Sequence, residues 1–272
     1  MRIVITGGAG FIGSHIADAY AAAGHDVLVI DSLWEHGGGR RANVRNGISL
    51  VHMDVRDEAI ARVFADFKPE IVSHHAAQHS VAISARDPVY DASVNVVGLL
   101  NVLEHASKNG ARKVIYASSG ATFGTPDRLP ITDATPQHPS SPYGITKMVG
   151  EHYLRFYREN RGLDFTALRY GNVYGPRQDP NGEAGVIAIF IGKFLAHAPV
   201  RIGCGRRHGP HKFLPAHVVA TGAGHQQSAG AEHFERPQIQ FFVAAQCAFN
   251  GAYALGERGR IEHDCVEFFA SI

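Results

Sequence analysis

Cysteine is scarce in this 272-residue chain, and the three present, Cys204, Cys247 and Cys265, all lie in its last quarter with no Cys-x-x-Cys spacing. That excludes a zinc ribbon and a redox dithiol pair. Net charge is equally thin: 26 Lys and Arg against 25 Asp and Glu leave +1, too weak a field to recruit nucleic acid or a membrane surface. Partners are therefore expected among small molecules. No apolar run approaches the ~20 residues of a membrane helix, and the first residues read as a buried strand, not a secretion signal. A reduced, cytoplasmic setting is the expectation. Internal repeats and low-complexity tracts are missing too, which removes solenoids and linkers from consideration. Histidine, at 17 residues, is plentiful but scattered. Its densest group, His74, His75 and His79, has no partner motif to close a ligand set, so no metal is expected.

What is present is alternation. Short apolar runs at 2–6, 26–30, 48–52, 70–74, 113–117 and 164–169 read as strands, and amphipathic stretches at 11–23, 57–67, 89–109 and 143–160 read as helices. Strand–helix alternation of this kind predicts an α/β fold, a doubly wound parallel sheet. The reading assigns residues 1–169 to a dinucleotide-binding domain. Residues 170–272 are assigned to a smaller substrate lobe, atypical after about residue 203.

The strongest motif is Ile3-Val-Ile-Thr-Gly7-Gly-Ala-Gly10-Phe11-Ile12-Gly13. Glycines three apart between a strand and a helix let backbone N–H groups approach a pyrophosphate, whose charge the helix N-terminus favours. Gly7, Gly10, Phe11, Ile12 and Gly13 are the expected cofactor contacts. Asp31, eighteen residues beyond Gly13, ends the second strand and supplies a ribose acceptor that would repel a 2′-phosphate, so the cofactor expected is NAD, not NADP.

Tyr143 and Lys147 stand four apart at the start of a helix and share one of its faces. A nearby ammonium favours the phenolate and so lets the phenol act as a base. The strand 113–119 ends in Ser118 and Ser119, at the carboxyl edge where parallel sheets bind ligands. Ser119 is thus expected to share a substrate hydroxyl with Tyr143. No Gly-x-Ser-x-Gly elbow surrounds either serine, which disfavours a hydrolase.

With these residues the chain resembles the extended short-chain dehydrogenase/reductase family, and within it the bacterial UDP-glucose 4-epimerase-like NAD-dependent epimerase/dehydratases. The resemblance covers residues 1–202. It rests on the glycine turn, on His52-Met-Asp54-Val55-Arg-Asp57, His75-Ala76-Ala77, Val94-Asn95 and Ser118-Ser119, on Ser141-Pro-Tyr-Gly-Ile-Thr-Lys147, and on Arg169-Tyr-Gly-Asn-Val-Tyr-Gly-Pro-Arg177. It implies a Rossmann-type fold, with Asp54 and Val55 facing the adenine, Ala76 and Ala77 passing beneath the cofactor, and Asn95 in the helix that follows, counted among the cofactor residues. Tyr170 would contact the nicotinamide, and Asn172 the nucleotide sugar beside Ser119 and Tyr143. The implied activity is 4-epimerisation of a UDP-hexose through a transient 4-keto sugar, by a homodimer, with Ser119, Tyr143 and Lys147 as the catalytic set. Related dehydratases carry acidic residues after the catalytic serine. Here Gly120-Ala-Thr-Phe123-Gly follows, which favours epimerisation, and Phe123 stands where the family often has tyrosine.

After Ile202 the family pattern lapses. Gly203-Cys-Gly-Arg-Arg-His-Gly-Pro-His-Lys replaces the usual acidic turn, and Arg206 and Arg207 do not align with the family's diphosphate-binding arginine. The composition switch reads as a change of reading frame near Cys204. The competing reading is accordingly an NAD-binding protein whose substrate lobe is impaired or lost.

Overall fold

The computed structural model describes residues 1–34, 37–180 and 185–199, and the backbone of 201–202 and 211–212. The first compact unit, Met1–Ile189, is built on a six-stranded parallel sheet. Its strands are β1 (Arg2–Thr6), β2 (Asp26–Asp31), β3 (Ser49–His52), β4 (Ile71–His74), β5 (Lys113–Ser119) and β6 (Asp164–Tyr170), in the order β3-β2-β1-β4-β5-β6. Strand order reverses between β1 and β4, and a crevice opens outside the carboxyl ends of the strands at such a switch point. The expected doubly wound sheet is what forms.

The strands are apolar on both faces because helices cover both. Along β1, Ile3 and Ile5 pack with Ile16, Ala17, Val27 and Val29 on one side, while Val4 joins Phe64, Val72, Leu99, Leu103, Val114 and Leu154 on the other. Successive strand residues point to opposite faces, so a run of Val and Ile supplies two cores at once. The first side is closed by α1 (Phe11–Ala22); the second by α2 (Ile60–Phe67), α5 (Gly98–Lys108) and α6 (Pro142–Arg161).

The helix termini follow local chemistry. Ser141 caps α6, its Oγ accepting from the Gly144 N–H at 3.1 Å; Pro142 occupies the first turn, and Gly162 ends the helix at φ +67°. The helix expected at 57–67 starts at Ile60, since Asp57 folds the preceding residues into a turn by accepting from the Ala59 N–H at 2.8 Å. The helix expected at 89–109 is broken into α4 (Pro88–Ala92), a π-type turn Ser93–Val97, and α5. Two further helices, α3 (Val81–Arg86) and α7 (Val186–Leu195), had no sequence expectation.

The first unit extends past residue 169, where the sequence reading ended it. The loop after β6 is tied back onto α1 by the Arg177–Asp18 ion pair at 2.6 Å and by a hydrogen bond of 3.0 Å between the His15 ring and the Pro176 carbonyl. The second unit begins at Phe190 and contains a short antiparallel pair, β7 (Arg201–Ile202) with β8 (His211–Lys212). Cys204, Arg206, Arg207 and the composition switch lie outside the described residues. Among the described residues, no helix is long and apolar enough to cross a membrane.

Candidate active site

A cleft of about 830 Å³ opens at the switch point, within the range of cofactor and ligand cavities. Gly7, Gly10, Phe11, Ile12, Gly13, Asp31, Asp54, Val55, Ala76, Ala77, Ser119, Tyr143, Lys147, Tyr170 and Asn172 all line it. The structure therefore gathers all but one of the residues expected from sequence.

One wall is the turn between β1 and α1. Gly7 sits at φ +69°, and a Cβ there would lie 2.5 Å from the Ala76 backbone nitrogen. A Cβ on Gly13 would collide with the Gly7 carbonyl oxygen. Side chains are thus excluded where the turn passes β4 and where α1 sits against the turn, and the backbone itself faces the cleft. No side chain caps α1, so its first N–H groups remain available to an anion. This is the cradle a dinucleotide pyrophosphate needs.

Asp31 is buried at the end of β2. Its Oδ2 accepts from the Ala9 N–H at 2.9 Å and its Oδ1 from the Leu33 N–H at 2.8 Å. Two backbone donors fix the carboxylate against the turn at the edge of the cleft. Asp54, after β3, forms a bidentate pair with Arg56 at 2.7 and 2.9 Å, which holds its carboxyl below the usual range. Arg56 also lies 5.5 Å from the Tyr90 ring centroid, and Trp34 lies 6.2 Å from the same ring. Trp34, Arg56 and Tyr90 line the cleft and were missed from sequence, since they come from three separate segments.

The opposite end carries the chemistry. Tyr143 and Lys147 project from the first turns of α6. The buried Lys147 ammonium donates to the Ala117 carbonyl at 2.8 Å, and lies 5.0 Å from the Tyr116 ring centroid and 5.8 Å from that of Tyr143. Burial pulls Lys147 down to about 8, opposed by the charge of Asp91. Most of it remains cationic at neutral pH. Ser119 ends β5 and its Oγ accepts from the Ala121 N–H at 3.1 Å, which fixes the oxygen and leaves its proton to donate. In the β5–β6 ladder Ser119 pairs with Tyr170, so both reach the cleft side by side.

His75 was expected only as part of a motif, yet it lines the cleft with its Nε2 3.3 Å from the Tyr170 hydroxyl. Burial lowers its pKa to about 4, making it a neutral hydrogen-bonding group, and burial raises Tyr170 to about 12. Of the three clustered histidines, His74 is buried with its Nδ1 2.8 Å from the Thr6 hydroxyl, while His75 and the exposed His79 both line the cleft.

Asn95 is the exception. It is 2% exposed and does not line the cleft. Its Oδ1 accepts from the Gln78 N–H at 2.8 Å, while its Nδ2 donates to the Gln78 carbonyl at 2.9 Å and to Asp91 at 3.0 Å. Every polar atom of the side chain is used inside the protein, so its role is corrected from cofactor contact to scaffold.

The fold and cleft define a dinucleotide-binding α/β protein with a Ser–Tyr–Lys constellation at the sheet's carboxyl edge. The chain belongs to the NAD dependent epimerase/dehydratase family, which residues 3–209 match. It is 44% identical over 207 residues to the putative UDP-glucose 4-epimerase of Methanocaldococcus jannaschii, covering 75% of this chain and 67% of that protein. It is also 44% identical over 208 residues to the UDP-glucose 4-epimerase of Mycolicibacterium smegmatis, covering 74% and 66%. Among solved structures, the Thermus thermophilus UDP-glucose 4-epimerase complex with NAD superposes with a TM-score of 0.70 at 47% identity, covering 74% of this chain and 64% of that one. The Thermotoga maritima UDP-glucose 4-epimerase with UDP-glucose gives 0.72 at 44% identity, covering 75% and 67%. The chain thus spans about two thirds of the length of these relatives, and less of the Thermus chain.

Proposed function

We propose that this chain is an NAD-dependent nucleotide-sugar 4-epimerase of the UDP-glucose/UDP-galactose type, acting in the cytoplasm as a homodimer. The observation that carries the reading is that the glycine cradle, Asp31, and the Ser119, Tyr143 and Lys147 side chains all line one cleft at the switch point. The relatives at 44% identity carry that activity in their names, and related structures hold NAD and UDP-glucose.

The residues divide the work by position. Gly7, Gly10, Phe11, Ile12 and Gly13 would hold the pyrophosphate, Asp31 the ribose, Asp54 and Val55 the adenine, Ala76 and Ala77 the underside, and Tyr170 the nicotinamide. Bound NAD would supply a hydride acceptor that is restored within each turnover. Tyr143 takes the proton of the sugar 4-hydroxyl and returns it after the sugar has turned over. Lys147 makes the phenolate accessible by electrostatics, and Ser119 donates to the same oxygen and steadies it. Asn172 would contact the nucleotide sugar. Among the described lining residues the carboxylates are Asp31, Asp54 and Asp179, with none following Ser119. A dehydratase needs proton transfer next to the reacting carbons, so this cleft favours epimerisation.

The test combines calorimetry with a turnover assay. NAD should bind more tightly than NADP, and UDP-galactose should convert to UDP-glucose. Tyr143→Phe should keep NAD affinity and lose about 10²–10⁴-fold in rate, the usual contribution of a general base. Equal affinity for NADP would overturn the Asp31 assignment, and unchanged turnover in the variant would remove Tyr143 as the base.

A further inference from the structure

The cleft residues contributed by β5, β6 and α6 come from three elements that must be held in one register. One carboxylate outside the cleft touches all three. Glu151 lies on α6 four residues after Lys147, with its side chain 11% exposed. Its Oε1 accepts from the Ser118 hydroxyl at 2.5 Å and from Arg169 Nε at 2.9 Å. Its Oε2 accepts from Arg169 Nη2 at 2.7 Å and from Gln137 Nε2 at 3.1 Å.

Ser118 and Arg169 are not arbitrary partners. They face each other in the β5–β6 ladder, and the next pair along it is Ser119 with Tyr170. Tyr170 lines the cleft; Arg169 and Glu151 do not. Glu151 therefore clamps the strand pair one residue before the two side chains that reach the reacting end. The same helix contacts β5 one turn earlier, where Lys147 donates to Ala117 at 2.8 Å. Arg169 is itself backed by Phe123, 5.1 Å from the ring centroid to its guanidinium carbon, so the network extends under the turn that follows Ser119.

We propose that Glu151 is a positioning residue that fixes Ser119, Tyr170 and the Tyr143/Lys147 helix relative to one another at the nicotinamide end of the cleft. The proposal rests on the cofactor reading above. It makes a distinction that plain structural support does not: the glycine cradle lies on β1 and α1, away from the network, so losing Glu151 should disturb one end of the cofactor and spare the other.

The experiment measures, by calorimetry, the affinities of NAD and of ADP-ribose, which lacks the nicotinamide. Wild type, Glu151→Gln and Glu151→Ala are compared. Glu151→Gln nearly keeps the shape but removes the charge and turns one acceptor oxygen into an amide donor facing other donors, and intact exchange protection at the glycine turn shows that the variant is folded. The expected result is a several-fold fall in NAD affinity with ADP-ribose affinity unchanged, smaller in Gln than in Ala. NAD and ADP-ribose affinities that move together, or that both stay at the wild-type values, would overturn the proposal. Amide hydrogen exchange of the same proteins without ligand reads the clamp independently. Protection should fall at residues 118–120 and 169–170 and persist at the glycine turn; unchanged protection at the strand ends would overturn the clamp. Wild-type protein binding neither ligand would instead refute the cofactor reading, leaving exchange to decide the role of Glu151.

Discussion

Buried titratable groups set how individual residues respond to pH. His74 is 1% exposed, hydrogen-bonded to Thr6 and stacked on Tyr116 with 6.0 Å between ring centroids. Burial, with the charge of Lys147 behind it, lowers its pKa from 6.5 to about 3. Between those values the unfolded chain binds a proton at this position and the folded chain does not. Stability contributed by the neutral ring is complete above pH 6.5 and is lost as the pH falls toward 3. One such group accounts for at most about 1.4 kcal/mol per pH unit. We expect the unfolding free energy of His74→Asn, measured by urea titration across that window, to fall less steeply with acid than wild type. Parallel slopes would show that His74 is protonated in the fold. The neighbouring His75, lowered to about 4, adds in the same direction.

At the scale of elements, the packing of α4, α6 and the π-type turn depends on one fully buried carboxylate. Asp91 is 0% exposed and accepts from Gln78 Nε2 at 2.7 Å, Asn95 Nδ2 at 3.0 Å and the Thr146 hydroxyl at 2.8 Å. A buried carboxylate is tolerated only with such donors around it. Replacing Asn95 by Leu removes one of them and also strands the Gln78 backbone groups, at about 1–3 kcal/mol for each unpaired group. We expect Asn95→Leu to unfold at distinctly lower denaturant while the folded variant binds NAD as wild type does. A selective loss of NAD affinity without loss of stability would return Asn95 to the cofactor site. The contrast shows what was legible in the sequence. Six strands declared themselves as short apolar runs and the main helices through helical periodicity, and the glycine turn and the Tyr143/Lys147 spacing carried the site. The π-type turn did not, because residues 93–97 keep a helical composition and only the buried Asp91–Asn95 contact marks the change. Glu151, Arg169 and Trp34 escaped for a related reason. Their partners named above lie 14 or more residues away, and no local spacing encodes such a contact.

At the scale of the molecule, the first unit is equipped for one of its two expected ligands. On the function proposed here, backbone N–H groups at the start of α1 would serve the cofactor's pyrophosphate, and an anion there needs no side-chain cation. A nucleotide sugar brings a second diphosphate, which must exchange its hydration for fixed donors, and arginine forks supply them best. Among the described lining residues the Lys and Arg side chains are Arg56, Lys147 and Arg177. Each is engaged: Arg56 with Asp54 at 2.7 Å, Arg177 with Asp18 at 2.6 Å, and Lys147 with the Ala117 carbonyl at 2.8 Å. Drawing any of them onto a substrate would uncover the Asp54 or Asp18 carboxylate or the Ala117 carbonyl. Free cationic donors for that diphosphate are thus missing among the described lining residues, while the family match continues past this unit to residue 209. We expect NAD to bind at full affinity while UDP-glucose and UDP-galactose show a KM above the ~1 mM top of the usual range, since poor anchoring of the diphosphate leaves C4 badly placed for transfer. Steady-state kinetics of the full chain in both directions, with NAD affinity measured on the same preparation, make the comparison. A micromolar KM would mean that residues beyond 202 supply the missing cations despite their altered pattern, and Arg206→Ala and Arg207→Ala would then identify them by raising KM without touching NAD binding.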